Sequence, residues 1–270
     1  MISKNKKDLH ARVSDLGWYG ILANWEQYKQ AAWLEEIIAA EEVVRAQRGL
    51  ERRLRNAKLG KFKSFADFDW TWPKGVSSSH LEELFDLKFM EEAANVILFG
   101  PNGIGKTMIA KNLAHKAVLQ GSTARFITAS EMLNDLAAQE SGSQLTRALK
   151  RYAHWKLLVI DEIGYLSTSN RHADLLFEVI NRRYQEKSLI ITTNRPFTEW
   201  GEVFPNSSCV VSMIDRLVHK AELITLRGDS YRRKEANERG IERERRLNEQ
   251  QADERKVVDE HEELALKGGA

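Results

Sequence analysis

The chain has 270 residues, a length expected for one large domain or for one domain with an appendage. Hydrophobic residues make up 42% of the chain, which is enough for a folded core, and the net charge of +2 neither requires nor excludes a nucleic-acid partner. One cysteine, Cys209, excludes an intramolecular disulfide. We find no secretory signal and no apolar run near the roughly 20 residues that span a bilayer, so we expect a soluble intracellular protein with no membrane partner.

The segment from residue 5 to about residue 57 is predicted to be helical, because it lacks proline and its apolar residues recur at helical spacings. We interpret residues 1–58 as a small all-helical N-terminal domain that binds DNA or a partner. Its basic end is either a solvated helix terminus or a patch that contacts phosphates. The candidate phosphate contacts in this patch are Arg45, Arg48, Arg52 and Arg53.

Residues 59–80 are predicted to be a linker whose aromatic side chains pack on the next domain, because turn residues and aromatics interrupt the helical pattern. Residues 81–233 alternate short apolar runs with amphipathic ones. The runs are NVILFG, ARFIT, LLVID, LIITTN and ELITL. They lack strict alternation, as is typical of strands buried on both faces of a parallel sheet, so we predict an α/β domain. The charged tail, residues 234–270, is predicted to be a solvated helix or partly disordered.

The sequence NVILFGPNGIGKT contains a phosphate loop, because a buried strand leads into G-x-x-x-x-G-K-T and then into a helix. Glycines let successive backbone N–H groups point at phosphate oxygens, and the helix N-terminus adds positive potential. We expect Lys106 to reach the β- and γ-phosphates and the Thr107 hydroxyl to bind Mg²⁺. The predicted nucleotide contacts are Gly100, Pro101, Asn102, Gly103, Ile104, Gly105, Lys106, Thr107 and Met108.

Polar residues follow two later strands. Asp161 and Glu162 end LLVIDE, at the C-terminal strand end where open α/β sheets bind ligands. We expect Asp161 to hold Mg²⁺ through water and Glu162, which points elsewhere, to address a water that attacks the γ-phosphate. Asn194 ends LIITTN and is expected to hold that water or to contact the γ-phosphate, although asparagine at a strand end is also a common turn former.

In this order the motifs resemble those of the AAA+ ATPases, and they are similar in detail to the DnaC-like helicase loaders and the IstB transposition helper ATPases of insertion sequences. The run EWGEVF…DRLVHKAELITLRGDSYR looks like IstB rather than a replication loader. The other stretches that carry the resemblance are NVILFGPNGIGKT, LLVIDEIGYL, FEVINRRYQEKSLIITTNRPFTEWGEVF and FADFDW. The charged tail lies outside the resemblance.

The resemblance implies an αβα sandwich with a five-stranded parallel sheet, ATP and Mg²⁺ as cofactors, ATP hydrolysis, and a bacterial cytoplasmic location. It also implies three partners: double-stranded DNA, a cognate transposase, and further copies of the chain. In this picture, ATP-driven assembly on DNA marks a target site and the protein recruits and stimulates the transposase. The alternative is a replicative helicase loader, and a non-catalytic nucleotide-dependent scaffold is a third class against which Glu162 argues.

By motif, Asp161 and Glu162 match the metal and water acids of the family, and Asn194 matches its first sensor. Arg232, in GDSYR, occupies the second-sensor position, and Arg216, in SMIDRLVHK, occupies the arginine-finger position. Arginine suits both positions because its guanidinium stays protonated and offers a planar fork of donors to phosphate oxygens. The alternatives are an exposed arginine in a run of cations for Arg232 and a surface salt bridge with the adjacent acid for Arg216.

Three basic segments compete for DNA: the N-terminal patch, RALKRYAHWK, and RLVHK. Arg147, Lys150 and Arg151 lie at i, i+3 and i+4, so they share one helix face. This stripe either tracks phosphates or is an ordinary solvated face. Because no base-reading motif is present, we expect DNA binding to be independent of sequence.

Overall fold

One parallel sheet organises the α/β part of the chain. The computed structural model of the protein describes residues 8–67, 72, 78–163, 170–204 and 207–246. Within these ranges the sheet has five strands in the order β2-β3-β4-β1-β5. The strands are β1 (Asn95–Phe99), β2 (Ala124–Thr128), β3 (Leu157–Asp161), β4 (Ser188–Thr193) and β5 (Ala221–Thr225). The predicted α/β class and five-stranded parallel sheet are therefore confirmed, and each strand lies where an apolar run predicted it.

Alternate residues of the central strands enter different hydrophobic cores. Val96 and Leu98 of β1 belong to one cluster of buried residues, and Ile97 belongs to the other. This follows from the two-residue period of a strand, which sends successive side chains to opposite faces of the sheet. Helices cover both faces, so the layers form an αβα sandwich. The helices of the sandwich are α5 (Ser78–Phe85), α6 (Lys106–Leu119), α7 (Ala129–Ala137), α8 (Gly142–His154), α9 (Asn170–Arg183), α10 (Trp200–Val203) and α11 (Ser207–Val218).

The helix starts at α7 and α8 are fixed by capping boxes. Thr128 accepts a hydrogen bond from the backbone N–H of Glu131, whose side chain accepts one from the backbone of Thr128. Ser141 and Gln144 form the same reciprocal pair before α8. Each box satisfies two of the N–H groups that a helix start leaves unpaired. β2 can therefore turn into α7 without an intervening loop. Short 3₁₀ turns occur elsewhere, at Phe65–Asp67, Lys88–Met90 and Phe197–Glu199.

The N-terminal region is helical, with a small core of its own. It contains α1 (Leu9–Leu16), α2 (Tyr19–Ala23), α3 (Trp25–Tyr28) and α4 (Leu34–Ala57). Val13 and Leu16 pack with Leu34 and Ile38 in a separate buried cluster. None of the helices that the structure describes is long and apolar enough to cross a membrane. The other end of α4 reaches the sandwich, where Ala57 is part of the core. Because α4 contributes to both cores, the structure does not mark a boundary at residue 58, which stays a prediction.

The chain segments that flank the sandwich pack against it. Phe62, Phe65 and Trp72 from the predicted linker are partly buried against the core that contains α6. After β5 the chain forms a further helix, α12, over residues 231–246, which is mostly exposed from residue 236 onward. This part of the predicted tail is a solvated helix, and residues 247–270 lie outside the described ranges, as do residues 68–71 and 73–77 of the linker.

A buried arginine joins the end of α8 to the start of β4. Arg183 is 1% exposed. Its guanidinium donates to the carbonyl oxygens of Tyr152, Ala153, Trp155, Lys156 and Ser188, at 2.6–3.4 Å. These include carbonyls that the C-terminus of α8 leaves without helical partners. Burial lowers the pKa of Arg183 to about 9, so the side chain is still protonated at neutral pH.

Replacing Arg183 should destabilise the sandwich, because several buried carbonyl groups lose their donor at once. We expect Arg183→Met to lower the free energy of unfolding by about 3 kcal/mol or more, measured by urea denaturation. Arg182→Met is the matched control. Its neighbouring guanidinium is exposed and pairs with Glu178 at i,i+4, which is worth about 0.3–0.5 kcal/mol. Equal losses in the two variants would contradict the structural role of Arg183.

Candidate nucleotide-binding site

The phosphate loop joins β1 to α6, and the segment after β5 packs closely on it. A Cβ on Gly103, which has φ +78°, would lie 2.2 Å from Ser230 Oγ, and one on Gly100 would lie 2.4 Å from the Leu226 carbonyl oxygen. The backbone N–H of Tyr231 donates to the Gly103 carbonyl oxygen at 3.0 Å. Gly100 and Gly103 are thus required for the approach of residues 226–231 as well as for the shape of the loop.

Lys106 is the buried cation of the loop. It is 8% exposed, and its Nζ donates to the carbonyl oxygens of Gly100 at 2.7 Å and Pro101 at 2.8 Å. Burial lowers the pKa of the amine, an effect that the carboxylates of Asp161 and Glu162 oppose. Since an ammonium group has three rotatable donors, Lys106 can exchange these carbonyls for phosphate oxygens.

Asp161 is held between two hydroxyl groups. Thr107 Oγ1, on α6, lies 3.1 Å from each carboxylate oxygen, and Thr192 Oγ1, on β4, donates to Asp161 Oδ1 at 2.5 Å. A hydroxyl and a carboxylate side by side are the hard oxygen ligands that Mg²⁺ prefers. The described residues contain no group of three His, Cys, Asp or Glu that could hold a metal by themselves. A magnesium ion here would therefore need phosphate oxygens and water to complete its ligands.

Glu162 has an unusual backbone conformation. Its φ is +63°, which costs a residue other than glycine of order 1–3 kcal/mol. Its backbone N–H donates to Thr192 Oγ1 at 2.9 Å, and its exposed side chain lines the cavity described below. Strained residues of this kind cluster at functional sites, where the surrounding structure holds them.

Asn194 presents an unpaired buried oxygen. Its Oδ1 is buried and has no hydrogen-bond partner among the residues that the structure describes, and the side chain lines the same cavity. An unsatisfied buried acceptor costs about 1–3 kcal/mol, so it is informative where it occurs. This unpaired oxygen favours the prediction that Asn194 contacts a water or a phosphate group, because such a ligand would supply the missing hydrogen-bond partner.

One cavity of about 600 Å³ is lined by residues of the phosphate loop, by Glu162 and Asn194, and by residues that flank the sandwich in sequence. Its phosphate end is lined by Asn102, Gly103, Ile104, Gly105, Lys106, Thr107, Met108, Glu162, Asn194 and Arg232. The remaining lining residues are three aromatic ones, Phe62, Trp72 and Tyr231, together with Lys61, Lys63, Asp67, Lys111, Thr193 and Glu235. We call this part, named for its three rings, the aromatic end. Gly100 and Pro101 contribute through their carbonyl contacts with Lys106.

The aromatic end of the cavity is formed by two segments from opposite flanks of the sandwich. Lys63 and Glu235, which both line the cavity, form an ion pair. Trp72 Nε1 donates to the Asp229 carbonyl oxygen at 2.7 Å, and Lys234 Nζ lies 4.7 Å from the centre of the Trp72 ring. We call these contacts the flank clasp. Phe62, Trp72 and Tyr231 were not among the predicted site residues, although the aromatic run in the predicted linker was a signal for Phe62 and Trp72.

Arg216 lies away from this cavity. Its guanidinium stacks on the Phe177 ring of α9 at 4.6 Å and lies 6.0 Å from the centre of the Tyr184 ring. Its Nη1 is buried with no hydrogen-bond partner in the described part of the chain. Arg232, in contrast, lines the cavity, and its charge contributes to lowering the Lys106 pKa. The structure therefore brings together every predicted hydrolytic group except Arg216.

Several of the predicted DNA contacts are engaged within the chain. Arg45 binds Glu41 at 2.6 Å and the Leu16 carbonyl oxygen at 2.8 Å. Arg53 donates to the Val118 carbonyl oxygen at 3.4 Å, and Arg151 binds Asp135 at 2.5 Å. Arg45 and Arg151 are exposed but engaged in these contacts, whereas Arg48, Arg52, Arg147 and Lys150 on α4 and α8 are exposed and form no ion pair among the residues that the structure describes. These four are better placed than Arg45, Arg53 and Arg151 to contact an external phosphate.

Comparison with known proteins assigns a family to this arrangement. The sequence model of the family described as IstB-like ATP binding protein matches residues 6–239. An insertion sequence IS21 putative ATP-binding protein from Pseudomonas aeruginosa is 38% identical over 197 residues, covering 73% of this chain and 74% of the relative. An insertion sequence IS5376 putative ATP-binding protein from Geobacillus stearothermophilus is 33% identical over 229 residues, covering 84% and 91%.

Solved structures share the fold at low sequence identity. AMPPCP-bound DnaA from Aquifex aeolicus has a TM-score of 0.52 at 19% identity, covering 68% of this chain and 56% of that chain. The crystal structure of DnaI has a TM-score of 0.50 at 16% identity, covering 62% and 89%. These likenesses show the AAA+ fold, which agrees with the predicted class.

Removing the loop lysine should weaken nucleotide binding, because no other buried cation lines the described phosphate end of the cavity. We expect Lys106→Ala to weaken ATP binding by at least about tenfold, measured by isothermal titration calorimetry, since a buried charge contact is worth about 1.5–3 kcal/mol. Lys116→Ala removes an exposed lysine from the far end of the same helix and should bind ATP as the wild type does. Unchanged affinity in Lys106→Ala would contradict the assigned site.

Proposed function

The chain belongs to the family of IstB-like ATP-binding proteins, and from this premise we propose that it is an ATP-hydrolysing AAA+ regulator of DNA transposition. It assembles on duplex target DNA in an ATP-dependent manner and recruits and stimulates a cognate transposase. The observation that carries the proposal is the meeting of Lys106, Glu162 and Asn194 in one cavity, with the Thr107–Asp161 pair at its wall. Nucleotide binding alone needs the loop, whereas hydrolysis needs the acids and the sensor as well.

The residues present fit ATP and Mg²⁺. Thr107 and Asp161 would hold Mg²⁺, which neutralises phosphate charge when bound. Lys106 holds the β- and γ-phosphates, and Arg232 supplies a second cation from the start of α12. Phe62, Trp72 and Tyr231 supply ring surface against which a purine base can pack, among the charged side chains that line the same part of the cavity.

The hydrolytic roles divide between Glu162 and Asn194. The Glu162 carboxylate orients the attacking water and takes up a proton from it, because its side chain faces the cavity while its backbone is fixed to β4. The unpaired Asn194 Oδ1 accepts a hydrogen bond from the same water. These groups position the water against the γ-phosphate, which is the main contribution a protein makes to phosphoryl transfer.

The position of Arg216 supports the proposal that the protein assembles with copies of itself. The Arg216 guanidinium lies on α11, outside the described cavity of its own chain. One of its nitrogen atoms, Nη1, has no hydrogen-bond partner among the described residues. Supplied to the γ-phosphate of a neighbouring subunit, this cation would stabilise the transition state by about 10³–10⁵ in rate. Hydrolysis is then conditional on contact between subunits.

Duplex DNA and a transposase are the proposed partners. Arg147 and Lys150 form an exposed pair on α8, and Arg48 and Arg52 form another on α4. Such cations bind phosphates without reading sequence. The family relatives are named as insertion-sequence proteins, which favours a transposase over a replicative helicase as the protein partner. Pull-down with purified transposase and with purified hexameric helicase separates the two candidates.

The proposal predicts complementation between two inactive variants. Arg216→Ala should bind ATP normally, because its nucleotide-binding site is intact. It should lose DNA-stimulated hydrolysis, because no subunit supplies an Arg216 guanidinium to the site of its neighbour. Mixing it with Lys106→Ala, which lacks a working site but keeps Arg216, should restore part of the activity in a phosphate-release assay with duplex DNA. Absence of rescue, with both proteins folded and assembling on DNA, would rule out the trans role.

The two exposed basic pairs make a salt-dependence prediction. Arg147→Ala with Lys150→Ala should weaken duplex binding and reduce the slope of log K against log salt by about 0.9 for each phosphate that the variant no longer neutralises. Arg48→Ala with Arg52→Ala tests the N-terminal patch in the same way. Arg151→Ala is the control, because its guanidinium is already bound to Asp135. Unchanged slopes in both double variants, or strong preference among unrelated duplexes in the wild type, would refute this mode of binding.

A further inference from the structure

Thr192 is in direct contact with both acids of the site. It lies on β4 with no solvent exposure, and sequence analysis assigned it no role. Its hydroxyl donates to Asp161 Oδ1 at 2.5 Å and accepts the backbone N–H of Glu162 at 2.9 Å. A hydroxyl has one donor and two acceptor positions, so one group can serve both neighbours at once.

These contacts fix two different properties of the site. The hydrogen bond to the carboxylate is charge-assisted and short, so it restricts the direction in which Asp161 presents its oxygens to Thr107. The bond from Glu162 helps to hold the backbone at φ +63°, a conformation that residues other than glycine seldom adopt. Both acids therefore depend on one buried oxygen atom.

We propose that Thr192 is a positioning residue, which orients Asp161 toward magnesium and holds Glu162 in its hydrolytic conformation. The inference rests on the proposed ATPase function. Thr192 touches neither the nucleotide nor the attacking water in this role. It acts through Asp161 and Glu162, and the loss of such supporting contacts typically lowers metal affinity or activity about 10–100-fold.

The first test is magnesium-dependent binding, which does not require turnover. A non-hydrolysable ATP analogue is titrated into the full chain in EDTA and again in excess Mg²⁺. Thr192→Val should bind the analogue in EDTA within about twofold of the wild type but lose most of the affinity gained with Mg²⁺. Thr192→Ser, which keeps the hydroxyl, should keep the gain.

The second test is hydrolysis in the presence of duplex DNA. Thr192→Val should lower kcat about 10–100-fold with little change in KM, and Thr192→Ser should recover most of the rate. Thr192→Ala, measured in parallel, removes the same hydroxyl without pressing a methyl group against the carboxylate. A folding defect confined to the valine variant therefore does not prevent the comparison.

Ser188→Ala is the matched control for both tests. Ser188 is a buried hydroxyl at the start of the same strand, and it donates to the Phe89 carbonyl oxygen at 3.2 Å, away from the acids. The inference would be overturned if Ser188→Ala lost as much of the affinity gained with Mg²⁺ as the Thr192 variants do. It would also be overturned if Thr192→Val or Thr192→Ala gained as much affinity with Mg²⁺ as the wild type. The two proposals can fail separately. If the wild type gains affinity with Mg²⁺ but shows no hydrolysis that depends on Lys106, the proposed ATPase function is wrong. The magnesium-dependent binding of the Thr192 variants still decides whether Thr192 positions Asp161.

Discussion

The order of the strands is the constraint on which the site depends. β4 lies between β1 and β3, and all three run parallel, so their C-terminal ends meet at one edge of the sheet. The phosphate loop leaves β1, Asp161 ends β3, and Asn194 follows β4. No flexible loop has to bring these groups together. Because the strands are buried on both faces, packing fixes the positions from which the polar side chains project.

A second constraint comes from outside the sheet. The segment that follows β5 lies so close to the phosphate loop that side chains at Gly100 and Gly103 would collide with it. The same segment continues into α12, whose first residues complete the cavity together with residues that precede the sandwich. The flank clasp therefore ties together two parts of the chain whose paired residues, Lys63 and Glu235, are 172 positions apart. A nucleotide in the cavity would contact both flanks and would reinforce their association.

Local patterns were sufficient to predict the sheet and most of the site. Each strand was a short apolar run. Asp161 ends one strand, Glu162 follows it directly, and the loop that carries Lys106 follows another. Because the C-terminal ends of parallel strands meet at one edge of the sheet, these groups were expected to lie close together. What escaped prediction depends on contacts between distant positions. Thr192 resembles any β-branched strand residue in sequence, and only its register beside Asp161 shows its role.

Arg183 escaped for a related reason. It is adjacent to Arg182, and both have the sequence appearance of helix-end cations, yet a turn of about 100° per residue buries one and exposes the other. The Arg216 position has a different limit. Its guanidinium lies against an aromatic ring. Its buried Nη1 has no hydrogen-bond partner among the described residues of one copy of the chain, so a single copy does not show what this group binds.

The long helix α4 connects the N-terminal core to the core of the sandwich. Its 24 residues extend about 36 Å, with Leu34 and Ile38 in the small N-terminal cluster and Ala57 in the core beneath α6. Arg53 also binds the backbone at the far end of α6, the helix that begins at Lys106. A helix is stiff over this length, so a rotation of about 10° at its base would carry the opposite end through about 6 Å. Any change in the tilt of α4 against α6 would therefore be enlarged at the N-terminal cluster.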